Sequence, residues 1–408
     1  MGAITRAVLE GINYFYNPRR IIVIAPREET RILNALISTY SFKAMGEGGW
    51  EINNVTTIAE EDFFLPNFGL TLDDLVAQYD RNRIGDQREP GWWIQQLIKL
   101  GAGTQIPGIS SVYIVWDGDL IPTRRWKLCE HDENGMIKYY IAILQGESRS
   151  EFNTTQYAQC MKALTGMVPL EPVEGGTFVA HHMVFHTEYV KEMLDLMAEK
   201  TASSDPWPIL IMSYSRKFFR FSEYKTYATF MLRYHPEVFN YHELKLFGDG
   251  GLRFREANSV IDEMMKQFVI TNGGLSYSNV NNFVRTNWKS LSGVSNQQCY
   301  PAYVQLDHVY GLEGIINLDT LFQQSPTSTV FNFENVIDSN SKVSHSSSSC
   351  IPFGLIDDDN ENSISSDSDE IMDTSSSDSE VEFDERITSE ASSHYTKSIR
   401  INNKVRII

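Results

Sequence analysis

From Ile21 through Ala25 every residue is apolar, and Pro26 closes the run. Both faces of such a strand need cover, which is the habit of strands in parallel sheets. Ile32, Leu33, Leu36, Ile37 and Tyr40 then recur at helical spacing, and Val55 to Ala59 supplies a second strand. This β-α-β opening predicts an open, mostly parallel α/β sheet with helices on both faces.

The same patterns continue. Leu72 to Tyr79 reads as a helix, and Pro90-Gly91 breaks the chain before another from Trp92 to Leu100. Val112-Tyr113-Ile114-Val115-Trp116 is a strand apolar on both faces, running straight into Asp117-Gly118-Asp119. Met136 to Leu144 and Thr177 to Val184 read as further strands, the second after the turn Glu174-Gly175-Gly176. Thr187 and Ser222 stand where helix caps are expected, the latter with Tyr224, Tyr227, Ala228, Met231 and Leu232 facing inward. A helix near Val260 to Val269 precedes Asn- and Ser-rich loops, and no internal repeat is present. The expected division is a main domain over 19–255, a helical and loop extension over 256–340, and a tail over 341–408.

Charge separates the tail from the body. The net charge is -18, yet fourteen acids and one base lie between Asp357 and Glu390. Past Ser339, Ser, Asp, Glu and Asn dominate, too little apolar surface to offset chain entropy, so this acidic tail is expected to be disordered. Its acid-flanked Ser366, Ser368, Ser377 and Ser379 suit an acid-directed kinase and equally suit a solubilising spacer. The basic residues from Lys397 to Arg406 could fold back onto the acids. The body is only mildly acidic and has no basic stripe, which argues against a nucleic-acid partner. Cys129, Cys160, Cys299 and Cys350 lack zinc-type spacing and read as reduced, buried thiols. No apolar run suits a signal peptide or a bilayer span, so a cytoplasmic protein without a transmembrane segment is expected.

Two carboxylates two residues apart project to one side of an extended chain. Gly118 between them permits a tight turn and close approach of a ligand. At the carboxyl end of a buried strand, where open α/β sheets bind ligands, Asp117 and Asp119 could hold Mn²⁺ or Mg²⁺ and turn a diphosphate from repelled to attracted. They could equally form a turn in which Asp makes local hydrogen bonds. The same spacing at Asp357/Asp359 and Asp367/Asp369 in the tail carries no such meaning; the preceding strand makes the difference.

Gly91 to Leu100 and Val112 to Asp119 resemble the core of an uncharacterised glycosyltransferase-like family of unknown function within the GT-A nucleotide-diphospho-sugar transferases. Val179 to Phe185 and Phe221 to Tyr227 resemble it too, and the likeness covers roughly residues 19 to 255. The resemblance implies a glycosyltransferase that moves a sugar from a nucleoside-diphosphate donor to an acceptor hydroxyl on a glycan, protein or lipid. Asp117-Gly118-Asp119 would be its Asp-Xaa-Asp metal motif, preceded by Trp116 where relatives carry a smaller residue.

It implies that Pro26 and Arg27 meet the nucleotide, that Lys99 approaches the sugar diphosphate, and that His181 or His182 lines the donor-sugar pocket. Glu223 would serve the acceptor and His242 would complete the metal shell. Trp92, Gln96 and Lys99 fall on one helix face, and a rotated helix would present Gln95 instead. Each has a plainer alternative: solvated surface groups for Arg27 and Lys99, a satisfied core histidine, a helix-dipole partner for Glu223. His182 and His186 are spaced for zinc on a helix, but Met183-Val184-Phe185 favours a strand. Rival readings are a non-catalytic binding protein of this fold and a metal-dependent phosphohydrolase or nuclease. No glycine fingerprint follows the first strand, which disfavours a Rossmann dehydrogenase or methyltransferase.

Overall fold

A computed structural model of the chain describes residues 4–40, 52, 54–82, 90–141, 151–172, 176–215, 219–241, 251–254, 258–268, 274–291, 303–306 and 406–407. Its elements open with α1 (Thr5–Tyr16), β1 (Ile21–Ala25), α2 (Arg27–Tyr40), β2 (Val55–Ala59), α3 (Leu65–Phe68) and α4 (Leu72–Asn82). Then come α5 (Pro90–Gln105), β3 (Val112–Asp117), β4 (Leu120–Pro122), β5 (Cys129–His131), β6 (Ile137–Ile141) and α6 (Glu151–Thr165). β7 (His182–His186), α7 (Thr187–Thr201), α8 (Trp207–Ser213), α9 (Glu223–Tyr234), β8 (Phe239–Tyr241) and β9 (Gly251–Phe254) follow. The last are α10 (Asn258–Gln267), α11 (Tyr277–Leu291), β10 (Tyr303–Leu306) and β11 (Arg406–Ile407).

The expectation of a mostly parallel sheet is overturned. The five-stranded central sheet has the order β2-β1-β11-β3-β7, and only β1 and β2 pair in parallel; the other three pairings are antiparallel. An unbroken apolar run reports that both faces of a strand are covered, but it says nothing of the neighbour's direction. β11 enters between β1 and β3, antiparallel to both, so β1 and β3 still point the same way. Their carboxyl ends therefore share an edge of the sheet. Arg406–Ile407, which the sequence reading assigns to the tail, pairs there with Val23, Ile24, Trp116 and Asp117.

Helices cover both faces of this sheet, as alternation along β1 requires. Ile22 and Ile24 face a core with Trp93, Ile94 and Leu97 of α5, Val190 and Met193 of α7, and Tyr227 of α9. Ile21, Val23 and Ala25 face a second core with Val8 and Leu9 of α1, Leu33 and Leu36 of α2, and Val280 and Phe283 of α11. Tyr303, Val304 and Leu306 of β10 lie in that second core too, so elements beyond residue 255 pack with the first strands of the chain.

Several boundaries differ from expectation. β7 begins at His182 rather than Thr177, because its pairing with β3 stops at Trp116 opposite His182. His182 and His186 thus lie on a strand. Ser222 caps α9 as expected, accepting from the Lys225 N–H at 3.2 Å. Thr187 does not cap α7: it is the first helical residue, and His186 holds the cap position without a side-chain bond. Of the cysteines, Cys160 is buried as expected but Cys129 is exposed; Cys299 and Cys350 lie outside the described residues. So do the acidic tail up to Arg400 and its serines. No helix among the described residues is long and apolar enough to cross a membrane.

Candidate cation site at the carboxyl end of β3

Three bonds set the end of β3. The Asp117 N–H donates to the His181 carbonyl at 2.9 Å, tying the strand's last residue to the segment ahead of β7. The Trp116 indole N–H donates to the Leu120 carbonyl at 2.7 Å and folds the Gly118–Asp119 turn back on itself. The Leu306 N–H donates to the Asp119 carbonyl at 3.1 Å. Trp116 also stacks on Trp126, with ring centroids 4.6 Å apart and planes 10° apart.

α5 reaches this end through a close approach to the sheet. A side chain at Gly103 would come within 2.7 Å of the Tyr113 ring, so only glycine lets the helix lie this near β3. One turn earlier, Lys99 lands against Asp117. α5 is buried almost all round rather than along one stripe, and Lys99 is 3% exposed. The surface-lysine alternative is therefore excluded.

Lys99 Nζ lies 2.5 Å from Asp117 Oδ1 and 3.2 Å from Glu223 Oε1. Asp117 is 7% exposed and Glu223 1%. The Tyr224 hydroxyl donates to Asp117 Oδ1 at 3.3 Å, and its ring lies 4.7 Å from the Lys99 ammonium. With its amide nitrogen turned inward, Gln96 donates to Glu223 Oε1 at 3.1 Å. Burial raises the Glu223 carboxyl above its ordinary value of 4.5 and nearby Asp117 adds to the rise, while Lys99 pulls the other way. Desolvation outweighs the helix N-terminus that would favour the ionised form. The Tyr224 phenol is likewise raised by burial and stays a neutral donor.

On the other side of Asp117, His181 Nδ1 lies 3.1 Å from Oδ2. Asp117, Asp119 and His181 each offer a ligand atom, all within 4.8 Å of one another. Donors that share one small cation at roughly 2.1 Å stand about 3–4 Å apart, so the cluster needs little closing to hold one. The donor set fits in a second respect: His181 Nε2 is buried with no hydrogen-bond partner among the described residues, a desolvated lone pair or N–H that a ligand or its shell would satisfy. Asp119 and His181 are only partly buried, so the cluster opens on their side while Lys99 closes it from beneath.

The structure thus brings Gln96, Lys99, Asp117, Asp119, His181 and Glu223 together. Gln95 is buried on α5. His182 turns the other way and packs against the stacked pair of Trp116 and Trp126, its ring 5.4 and 4.4 Å from theirs. Pro26 is half-buried. Arg27 is exposed, with its N–H on Glu61 at 3.0 Å and its guanidinium on Asp62 at 2.6 Å. His242 lies outside the described residues. Two members of the site escaped the sequence reading. Tyr224 looked like core, and only its place beside Glu223 hinted otherwise. Gln305, whose Nε2 is 3.2 Å from His181 Nδ1, gave no signal at all.

Residues 11–267 match a family described as "Family of unknown function (DUF6492)". No curated protein matches. Among solved structures, a crystal structure of mouse xyloside xylosyltransferase 1 in its apo form is similar at 12% identity and TM-score 0.34, covering 74% of this chain and 91% of that one.

Proposed function

We propose that this chain, which belongs to the family of unknown function DUF6492, is a metal-dependent glycosyltransferase that passes a sugar from a nucleoside-diphosphate donor to an acceptor hydroxyl. The observation that carries the reading is the Asp117, Asp119 and His181 cluster at the carboxyl end of β3, backed by the buried Lys99. The sequence blocks around Gly91 to Leu100 and Val112 to Asp119 support it through their resemblance to GT-A transferases. Those three residues would hold the cation, and an imidazole among the donors favours Mn²⁺ over Mg²⁺. When bound, the ion supplies positive charge to the donor's diphosphate oxygens and to the charge building on the leaving group.

In the transfer, the bond from the anomeric carbon to the phosphate oxygen breaks and its electron pair leaves with the nucleoside diphosphate. The acceptor oxygen forms the new bond and its proton passes to water. In this reading Lys99 would steady the diphosphate from beneath the cluster, and Glu223, itself held by Gln96, keeps the ammonium in place. Glu223 is too deeply buried to meet an acceptor unless Lys99 moves, so in this reading it orients Lys99. Asp117 and Asp119 keep the cluster negative: with Glu223 they set three acids against one lysine, an imbalance that a divalent cation relieves.

A second reading rests on the 2.5 Å contact between Lys99 and Asp117. There the ammonium is the resident cation, and the protein binds a nucleotide sugar without metal and without turnover. Thermal shift of the full chain with UDP- and GDP-sugars, with and without Mn²⁺, separates the two. The transferase reading expects stabilisation by at least one donor that needs Mn²⁺ and is lost in Asp119→Ala, plus nucleotide release that requires an acceptor. Metal-independent stabilisation selects the second reading. A flat response to every donor at saturating Mn²⁺ removes the first.

A further inference from the structure

β10 lies beyond the residues that match the family, yet it touches the cation cluster twice. Its Leu306 N–H holds the Asp119 carbonyl, and its Gln305 amide meets the His181 ring at Nδ1. Gln305 is fully buried and sits in register between Leu120 of β4 and Arg253 of β9. Strand pairing on both sides fixes its backbone, so the amide's position is set by the sheet. His181 has less support: it lies just ahead of β7, outside any regular element, with its carbonyl accepting from the Asp117 N–H on one side. Its Nδ1 lies 3.1 Å from Asp117 Oδ2 and 3.2 Å from Gln305 Nε2, and it can donate to the carboxylate or accept from the amide, one at a time.

An imidazole can turn about χ2, and a ring turned away presents carbon rather than nitrogen to an ion. Asp117 alone cannot prevent this if its carboxylate is itself drawn to the metal. A fixed amide on the same ring nitrogen can: with the ion on Nε2, the amide turns its oxygen to accept the Nδ1–H once the carboxylate has left it. We infer that Gln305 is a positioning residue of the cation site, and that the site of this chain is incomplete without β10. The inference rests on reading Asp117, Asp119 and His181 as that site. Groups that orient a ligating histidine typically change metal affinity about 10–100-fold when removed, which sets the expected size.

The test uses full-length protein and Mn²⁺ alone, with free Mn²⁺ followed by its paramagnetic resonance signal. Gln305→Leu should weaken Mn²⁺ binding about tenfold or more while the metal-free unfolding midpoint moves little. Gln305→Asn, which keeps the amide but draws it back from the ring, should weaken binding in the same direction and carries the test if the leucine variant fails to fold. Val304→Ala, a packing control on the same strand, should lower the midpoint and leave Mn²⁺ affinity alone. In a His181→Ala background, Gln305→Leu should cost nothing further, since the two residues act as one. Unchanged affinity in the Gln305 variants, or full additivity with His181→Ala, overturns the inference while wild-type binding and its loss in Asp119→Asn leave the cation site standing. No Mn²⁺ binding by the wild type overturns the cation reading and this inference together.

Discussion

Two corners at the carboxyl ends of β1 and β3 use the same ingredients to opposite effect. At one, Arg27 faces Asp62 and Glu61; at the other, Lys99 faces Asp117 and Glu223. The Arg27 side chain is 60% exposed, so water and salt screen its pair. Lys99 and both its acids are buried, where the desolvation cost of each charge is large and only mutual pairing offsets it. A buried ion network is a poor stabiliser, because apolar side chains of like volume would generally do as well. Its presence at the end of β3 therefore asks for a reason other than stability. The exposed corner asks for none, and a proposed role for Arg27 has to be won from binding data alone.

The largest expected effect breaks the buried corner outright. Lys99→Met keeps the length of the side chain but leaves two acids facing each other without their cation. Removing one partner of a buried pair costs about 3–5 kcal/mol, partly relieved here as Glu223 takes up a proton. Urea unfolding at neutral pH should show a loss of that order. Adding Glu223→Gln should return part of it, because the two sites touch. A loss below about 1 kcal/mol, the surface-pair range, would mean the ammonium does not sit between the acids, and the contrast with Arg27 would collapse.

How much of this was legible beforehand depends on what each signal can encode. The apolar run Ile21 to Ala25 and the run ending at Asp117 located β1 and β3, and Ser222 marked the start of α9. Burial on two faces is written in composition, so those elements could be found. Strand direction is not, so the mixed sheet could not be: β11 arrives from residue 406 to pair with residues 23 and 24. Helical spacing put Gln96 and Lys99 on one face of α5. It could not say that the opposite face was buried as well, which is what turns a surface lysine into an ion-paired one. His181 was legible only as one of two adjacent histidines; the alternation that sends His182 against the Trp116–Trp126 pair chose between them. Gln305, 124 residues from His181, has no local pattern to betray it.

A smaller effect sharpens the comparison through pH. The Glu223 carboxyl is raised in the folded protein, chiefly by burial. Above the ordinary value of 4.5 the unfolded chain releases this proton while the folded protein keeps it, so stability falls as pH rises through the folded value. The contribution is fully present below about 4.5 and is lost upward from there. Glu223→Gln removes the titrating group. Relative to wild type, its unfolding free energy should decline less steeply with pH from 4.5 upward, a slope read from urea titrations at several pH values. Parallel slopes for the two proteins would show that Lys99 holds Glu223 ionised throughout, and that burial does not raise its carboxyl.

The smallest effect belongs to Arg27. Its partner Asp62 is nearly half exposed, and each side chain has water to fall back on. Arg27→Ala should leave the unfolding midpoint where it is, at low and high salt alike. What it should change, if the guanidinium steadies a donor phosphate, is the apparent affinity for the nucleotide sugar: a raised KM with kcat untouched, the mark of an interaction equal in ground and transition states. Lys99→Met would lower both stability and turnover, since the same ammonium serves the fold and the site. If Arg27→Ala instead lowers the unfolding midpoint as Lys99→Met does, exposure is not what separates the corners. The end of β3 then has no special claim to function on the ground of its buried charges.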